Sequence, residues 1–214
     1  MSKETISIFD ETNFKTHCNK LAKVDAYLKH IINTHGYPPL WKRKNGFETL
    51  IHIILEQQVS LASAKAALNK LKEKIGTVTP HKILSLPDAE LKACYFSRQK
   101  IIYARHLAQA IISKQLSLKK LALSSDDIVR AELKKIKGIG DWTVDVYLMM
   151  VLQRTDLFPL GDIALVKSMK EIKNLPKHTT KEELSLLAEK WKPCRTIAAF
   201  ILWHSYLCKR NRMY

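Results

Sequence analysis

Apolar residues recur along this chain at intervals of three and four, as Ala64, Leu68 and Leu71 do. No segment alternates apolar and polar residues in the way that a half-buried β-strand would. Turn-forming residues such as Gly76 interrupt the helical pattern at intervals. Because 46% of the residues are hydrophobic, these helices can bury a substantial core. We therefore predict an all-α fold.

The tightest predicted turn is Gly138-Ile139-Gly140, inside a helix–turn–helix segment of about 133–143. Glycine adopts backbone angles that other residues avoid, so a very short turn can join two helices here. The turn leaves backbone N–H groups at the start of the second helix, where the helix dipole favours an anion. Lys134 and Lys137 precede it, and we expect the anion to be a phosphate. Alternatively, the glycines only end one helix and begin the next.

The charge balance also favours a polyanionic partner. Lys and Arg number 36 against 20 Asp and Glu, a net charge of +16, and nucleic acid is the first candidate. Ribosomal and membrane-surface proteins share such a balance. No apolar run reaches the length of a membrane span, so we expect no membrane partner. The start of the chain, Met1 to Thr5, lacks the design of a secretory signal. We predict an intracellular protein, located in the bacterial cytoplasm or nucleoid, or in a eukaryotic nucleus.

The cysteines Cys18, Cys94, Cys194 and Cys208 are widely separated, and no Cys-x-x-Cys pair occurs. This spacing argues against a zinc knuckle. Reduced, mostly buried thiols are the expectation. We predict no metal site formed by side chains.

Asp162 follows Gly161 and directly precedes a helical pattern. By itself, an aspartate in this position predicts a helix N-cap. Together with the Gly-x-Gly turn, however, it resembles the helix-hairpin-helix plus Gly/Pro…Asp signature of the DNA glycosylase superfamily. The resemblance implies that Asp162 is the catalytic carboxylate. The two roles are compatible, because the dipole of a helix helps to hold a carboxylate ionised at its N-terminus.

The segment from Phe47 to Ser60 resembles a stretch of the 3-methyladenine DNA glycosylase II family (the AlkA-like family). In that family the turn at the end of the segment faces DNA, which implies that Gln58 or Val59 fills the gap left by an extruded base. The other interpretation is an ordinary polar turn between helices. Glu56 departs from the family pattern, which has a small residue there.

Two tryptophans carry the rest of the resemblance. The segment from Trp191 to Trp203 is similar to the family's Trp-x-Pro-x-Arg-Ser-x-Ala…Leu-Trp, and it implies that Trp203 forms a wall of the base pocket. Plain core packing is the alternative. Trp142, the second expected wall, stands where bifunctional relatives have a lysine that attacks the sugar. The resemblance therefore implies an enzyme without lyase activity.

The resemblance covers roughly residues 45–210 and implies two helical lobes with a DNA-binding cleft between them. The central lobe, 46–155, would hold the hairpin, and the second, 1–45 plus 156–214, would carry Asp162 and Trp203. The residues expected to contact DNA are Gln57, Gln58, Val59, Ser60, Lys134, Lys137, Gly138, Ile139, Gly140 and Thr143. Three positions depart from the family pattern at the hairpin: Lys137, Asp141 and Val146.

The implied function is excision of alkylated purines, of the 3-methyladenine and 7-methylguanine type, from double-stranded DNA by base flipping and hydrolysis of the N-glycosidic bond. We expect a monomer with no organic cofactor and no iron–sulfur cluster. Relatives often hold a monovalent cation on hairpin carbonyls. Two alternatives stay open: a glycosylase for another lesion, such as hypoxanthine or uracil, and a non-catalytic hairpin protein that binds DNA. Asp162 and the two tryptophans argue against the second, since a pure binder needs none of them.

Overall fold

A computed structural model describes residues 6–211 and confirms the all-α prediction, since that range contains helices and a single isolated bridge but no β-strand. The N-terminal residues Met1 to Thr5, used above to predict location, lie outside the described residues. The helices are α1 (Phe14–Val24), α2 (Ala26–His35), α3 (Phe47–Glu56), α4 (Leu61–Ile75), α5 (Pro80–Ser85), α6 (Asp88–Ala93), α7 (Arg98–Ile112), α8 (Leu118–Ala122), α9 (Asp126–Lys134), α10 (Asp141–Met150), α11 (Ile163–Ile172), α12 (Lys181–Ala188) and α13 (Arg195–Cys208).

Side-chain caps define several helix starts. Ser60 accepts a hydrogen bond from the Ser63 amide at the start of α4 (3.1 Å). At the start of α12, the Thr180 hydroxyl accepts from the Glu183 amide (3.2 Å) while the Glu183 carboxylate accepts from the Thr180 amide (2.7 Å). Each cap satisfies N–H groups that have no partner inside the helix. The local sequence therefore determines where these helices begin.

The chain divides into two compact units. One is Arg43–Tyr147, and the other combines the chain through Lys42 with the chain from Leu148 onward. The sequence placed the second boundary at 155, later than the structure does. The reason is that the segment before 155 pairs with the N-terminal part of the chain: the Phe9 amide donates to the Gln153 carbonyl (2.9 Å), and the Gln153 amide group donates to the Trp41 carbonyl (3.2 Å).

In the unit Arg43–Tyr147, helix α3 is central. Leu50, Ile51, Ile53 and Ile54 are all fully buried, so most of the circumference of α3 faces the core. Glu48, Thr49 and His52 form the remaining, partly exposed stripe. It packs against α4 and α7.

In the other unit, α13 has the central position. Its side chains from Thr196 to Trp203 are buried, and it packs against α11, α1 and α2. An aromatic cluster adds to this core, since the Phe200 ring lies 5.7 Å from the Phe9 ring and 5.2 Å from the Trp41 ring, both edge-on. The edge-to-face geometry is favourable for aromatic pairs. This core supports the segment that carries Asp162.

The four cysteines are free thiols, and all but Cys208 are buried. Over residues 6–211, no helix is long and apolar enough to cross a membrane.

Candidate functional site

The two glycines of the hairpin have different structural roles. Gly138 has a φ of 89°, and a Cβ atom at this position would overlap the ring of Tyr103. Only glycine satisfies both conditions. A Cβ atom on Gly140, in contrast, would meet nothing within 4 Å. The space around Gly140 is open, so the fold alone does not require glycine there.

The start of α10 keeps the features of an anion site. The Val144 amide donates to the Gly140 carbonyl (3.1 Å), which leaves the preceding amides at the helix N-terminus without intrahelical partners. Ile139, expected to contact DNA, has only 4% of its surface exposed. Its side chain anchors the turn in the core, so only its backbone is available to a ligand.

Gln57 braces the hairpin from the end of α3. Its side-chain amide donates to the Gly138 carbonyl (2.8 Å) and to the Thr143 hydroxyl (3.0 Å). The sequence predicts that Gln57 and Thr143 contact DNA, but the structure joins their side chains to each other, and Thr143 is buried. The sequence does not predict this hydrogen bond, because the two residues are 86 positions apart.

Gln58 and Val59 protrude from the turn after α3. Gln58 is exposed and has a φ of 58°, a left-handed conformation that is uncommon for residues other than glycine. Val59 is 45% exposed, which is unusual for a valine in this apolar unit. The predicted role of this turn in contacting DNA stays a prediction, and the exposed conformation is compatible with it.

Glu56, the departure from the family pattern, does not face solvent. Its carboxylate is buried and forms a two-pronged ion pair with Arg43 (2.7 and 2.9 Å). The end of α3 is further stabilised by Lys100, whose ammonium group donates to the Leu55 carbonyl (2.7 Å). A cation at a helix C-terminus complements the helix dipole, while burial lowers the pKa of Lys100. Both contacts fix the turn that presents Gln58.

Asp141 places a carboxylate at the N-terminus of α10, where a phosphate is expected. Lys134 lies 2.9 Å and Arg130 3.0 Å from one of its oxygens. The hydrogen bond from Lys134 is the largest cause that lowers the pKa of Asp141, with Arg130 adding to it. Arg130 also pairs with Asp145, whose pKa is raised by burial. Lys134, predicted to bind phosphate, is thus already paired, whereas Lys137 is exposed.

Trp142 is half-buried in the first turn of α10, and Val146, one turn later, is 3% exposed. The position therefore allows Trp142 to present part of its ring to a ligand. Its role as a pocket wall stays a prediction.

In the other unit, Asp162 caps α11. Its Oδ1 accepts a hydrogen bond from the Leu165 amide (2.8 Å) and a second from the indole N–H of Trp203 (3.0 Å). The carboxylate is partly exposed. An oxygen that accepts two N–H donors at a helix N-terminus is held in one orientation, with its charge stabilised by the donors and the dipole.

Trp203 combines two structural roles. Only 8% of it is exposed, and its ring lies 5.8 Å from Phe200 and 6.2 Å from Trp41. Core packing was the alternative to a pocket wall, and the structure shows packing together with a hydrogen bond to Asp162. The pocket role stays a prediction. The bond to Asp162 was missed because 41 residues separate the partners.

The loop that leads to Asp162 is held by the start of α13. Arg195 forms a two-pronged ion pair with Asp156 (2.8 and 2.9 Å). The Thr196 amide donates to the Thr155 carbonyl (2.9 Å), and the Thr196 hydroxyl accepts from the Leu157 amide (3.0 Å). Arg195 and Thr196 therefore hold the loop that precedes Asp162 in place.

The structure contains a helical hairpin with a glycine turn, and farther along the chain an aspartate that caps a helix. This is the arrangement expected of a helix-hairpin-helix protein that acts on DNA. A family model agrees: that of the HhH-GPD superfamily of base excision DNA repair proteins matches residues 51–194. The chain belongs to this superfamily, which confirms the resemblance.

Similar proteins span nearly the whole chain. It is 31% identical to DNA-3-methyladenine glycosylase 1 of Schizosaccharomyces pombe, over 93% of this chain and 92% of that protein. It is 30% identical to the DNA-3-methyladenine glycosylase of Bacillus subtilis, over 91% of this chain and 68% of that protein. Among solved structures, 3-methyladenine DNA glycosylase of S. pombe in complex with abasic DNA has a TM-score of 0.81 at 29% identity, covering 88% of this chain and 95% of that one.

Proposed function

We propose that this protein is a monofunctional DNA glycosylase that excises alkylated purines, of the 3-methyladenine and 7-methylguanine type, in base excision repair. The observation that carries the proposal is the carboxylate of Asp162, oriented at the N-terminus of α11 by Leu165 and Trp203. The names and extent of the similar proteins support the substrate class.

The chemistry needs little more than this carboxylate. Alkylation at N3 or N7 gives the purine a positive charge and makes it a good leaving group. As the glycosidic bond breaks, positive charge develops on the sugar, and an ionised carboxylate stabilises that charge. The same group orients a water molecule that attacks the sugar. Hydrolysis by this route requires no metal or organic cofactor.

Access to the base requires that it leave the duplex, at a cost of a few kcal/mol. The amides at the start of α10 and the exposed Lys137 are suited to hold a phosphate without reading sequence. The protruding turn at Gln58 and Val59 is suited to fill the gap in the stack. As the resemblance implies, Trp142 and Trp203 are each proposed to stack on the extruded base.

The absence of a lysine at position 142 leaves water as the nucleophile. Product DNA should therefore carry intact abasic sites that break only after alkali. Covalent trapping of the protein on DNA by borohydride would contradict this part of the proposal.

The direct test is incubation with methylated duplex DNA and chromatography of the released bases. Release of 3-methyladenine and 7-methylguanine is expected. Duplexes that contain hypoxanthine or uracil test the alternative lesions in the same assay. Binding to all the duplexes without release of any base would instead indicate a non-catalytic hairpin protein.

A further inference from the structure

A cavity of about 830 Å³ lies beside Asp162, within the unit that also contains α13. It runs along one face of α11 to the start of α12. Its floor is apolar and includes Leu160 and Val166. Asp162 and the 82% exposed side chain of Ile163 stand at one end. We call this feature the lysine groove, because of the side chains that line it.

Four lysines line the groove: Lys167, Lys170, Lys177 and Lys181. The ammonium group of Lys170 donates to the Lys177 carbonyl (2.8 Å). For Lys167, Lys177 and Lys181, which are exposed, no carboxylate lies within 4.0 Å of the ammonium nitrogen among residues 6–211. These three charges are available to a ligand.

The acidic residues of the groove do not cancel this charge. Glu171 lies 2.7 Å from Arg210 and is neutralised by it. Asp162, at one end of the groove, contributes a single negative charge against the three exposed ammonium groups. The ligand that fits the groove therefore carries several negative charges.

We propose that the lysine groove binds the phosphate backbone of the DNA that flanks the lesion. This inference rests on the proposed function, because Asp162 then marks the position of the reacting nucleotide. Ten residues of α11 extend about 15 Å at 1.5 Å per residue. That length equals about four steps along one strand, at 3.4 Å each. Lys167 and Lys170, three positions apart, lie on the same face of the helix and follow this track.

DNA fits this groove better than an acidic peptide does. The carboxylate that must meet the damaged nucleotide lies at the groove's own end, so a strand whose nucleotide reaches Asp162 continues directly into the groove. A peptide bound there would compete with the substrate. The ammonium groups contact phosphates, and the apolar floor lies beneath the sugars.

The test compares two triple variants with the same change of net charge. The first replaces Lys167, Lys177 and Lys181 with Gln. The second, a control, replaces Lys20, Lys23 and Lys29 with Gln, three exposed lysines on α1 and α2. Binding of each full-length protein to an undamaged duplex and to a duplex with an abasic site is measured between 50 and 200 mM salt. Thermal melting establishes that both variants fold.

The groove variant should bind several-fold more weakly, and the slope of log affinity against log salt should fall by about two to three units, since each phosphate contact contributes about 0.9. The control should differ little from wild type. Shortening the duplex by about four base pairs on one side of the abasic site should weaken DNA binding by the wild-type protein but not by the groove variant. Equal effects of the two triple variants, or no effect of either, would overturn the inference. Because these are binding measurements, they remain decisive if methylated DNA yields no free base, which would overturn only the proposed function.

Discussion

The indole N–H of Trp203 donates a hydrogen bond to the carboxylate of Asp162, with 3.0 Å between Nε1 and Oδ1. The tryptophan is itself fixed by Trp41 and Phe200. The orientation of the carboxylate is therefore coupled to the packing of the core. A similar hydrogen bond from the Leu165 amide comes from the helix that Asp162 caps.

The variant Trp203→Phe distinguishes the contribution of the hydrogen bond to Asp162 from that of the aromatic ring. The variant keeps an aromatic side chain in the core but loses the N–H donor. A hydrogen bond to a charged group contributes about 1.5–3 kcal/mol, and we expect roughly a tenfold slower release of 7-methylguanine under single-turnover conditions. DNA affinity should change less than twofold. Trp203→Leu, which also loses the ring, is the companion variant.

If Trp203 also forms a wall of the base pocket, Trp203→Leu should reduce release of a cationic base more than release of hypoxanthine, because a cation gains about 0.5–2 kcal/mol over an indole face. If the release rates of both bases fall equally, Trp203 acts only by orienting Asp162 and does not contact the base as a cation-binding wall. An unchanged rate in Trp203→Phe would show that the hydrogen bond does not contribute to catalysis.

The two hairpin glycines should respond differently to alanine. Gly138→Ala introduces a methyl group into the ring of Tyr103 at a positive φ, and overpacking with an unfavourable backbone angle costs about 2–4 kcal/mol. The melting temperature should fall by roughly 5–15 °C. Gly140→Ala meets no neighbour and should melt near wild type while binding DNA more weakly. Similar melting temperatures for the two variants would contradict the distinction.

Asp141→Asn should tighten binding to undamaged DNA. The change removes a negative charge from the N-terminus of α10, and it releases Lys134 for a phosphate, while Arg130 stays paired with Asp145. Affinity should rise several-fold, and the salt slope should steepen by about one unit. Asp127→Asn, an exposed position on α9 with the same charge change, is the matched control. Equal effects in the two variants would indicate a general effect of net charge.

The lowered pKa of Asp25 leads to a prediction of how the free energy of unfolding depends on pH. Burial favours its protonated form, but hydrogen bonds from Lys190, Trp191 and Lys173 outweigh burial and lower the pKa of Asp25 from 3.8 to about 2. A depressed folded-state pKa gives stability that is present above pH 4 and is lost as the pH falls toward 2. The contribution is about 2 kcal/mol. Chemical denaturation of wild type and Asp25→Asn at pH 7 and pH 3 measures it, and the difference between them should shrink at pH 3.

The sequence predicts well the features that neighbouring residues determine. The all-α fold and the position of Asp162 at the start of a helix depend on residues that are close together along the chain. It predicts poorly the contacts between distant segments. Gln57 reaches Thr143 across 86 residues, and such a pair depends on how α3 packs beside the hairpin. The pair of Asp141 and Lys134 is only seven residues apart, but it depends on the conformation of the hairpin turn between them.

The central claim is that Asp162 performs the hydrolysis. Asp162→Asn keeps the size of the side chain and an oxygen that can accept from Leu165 and Trp203, but it removes the charge. The decisive measurement is single-turnover release of 7-methylguanine from methylated duplex DNA, with binding to a duplex that contains an abasic site measured in parallel. We predict that base release falls by at least about a thousandfold, or roughly 4 kcal/mol, while binding is unchanged or tighter. Near-normal release by Asp162→Asn would contradict the account.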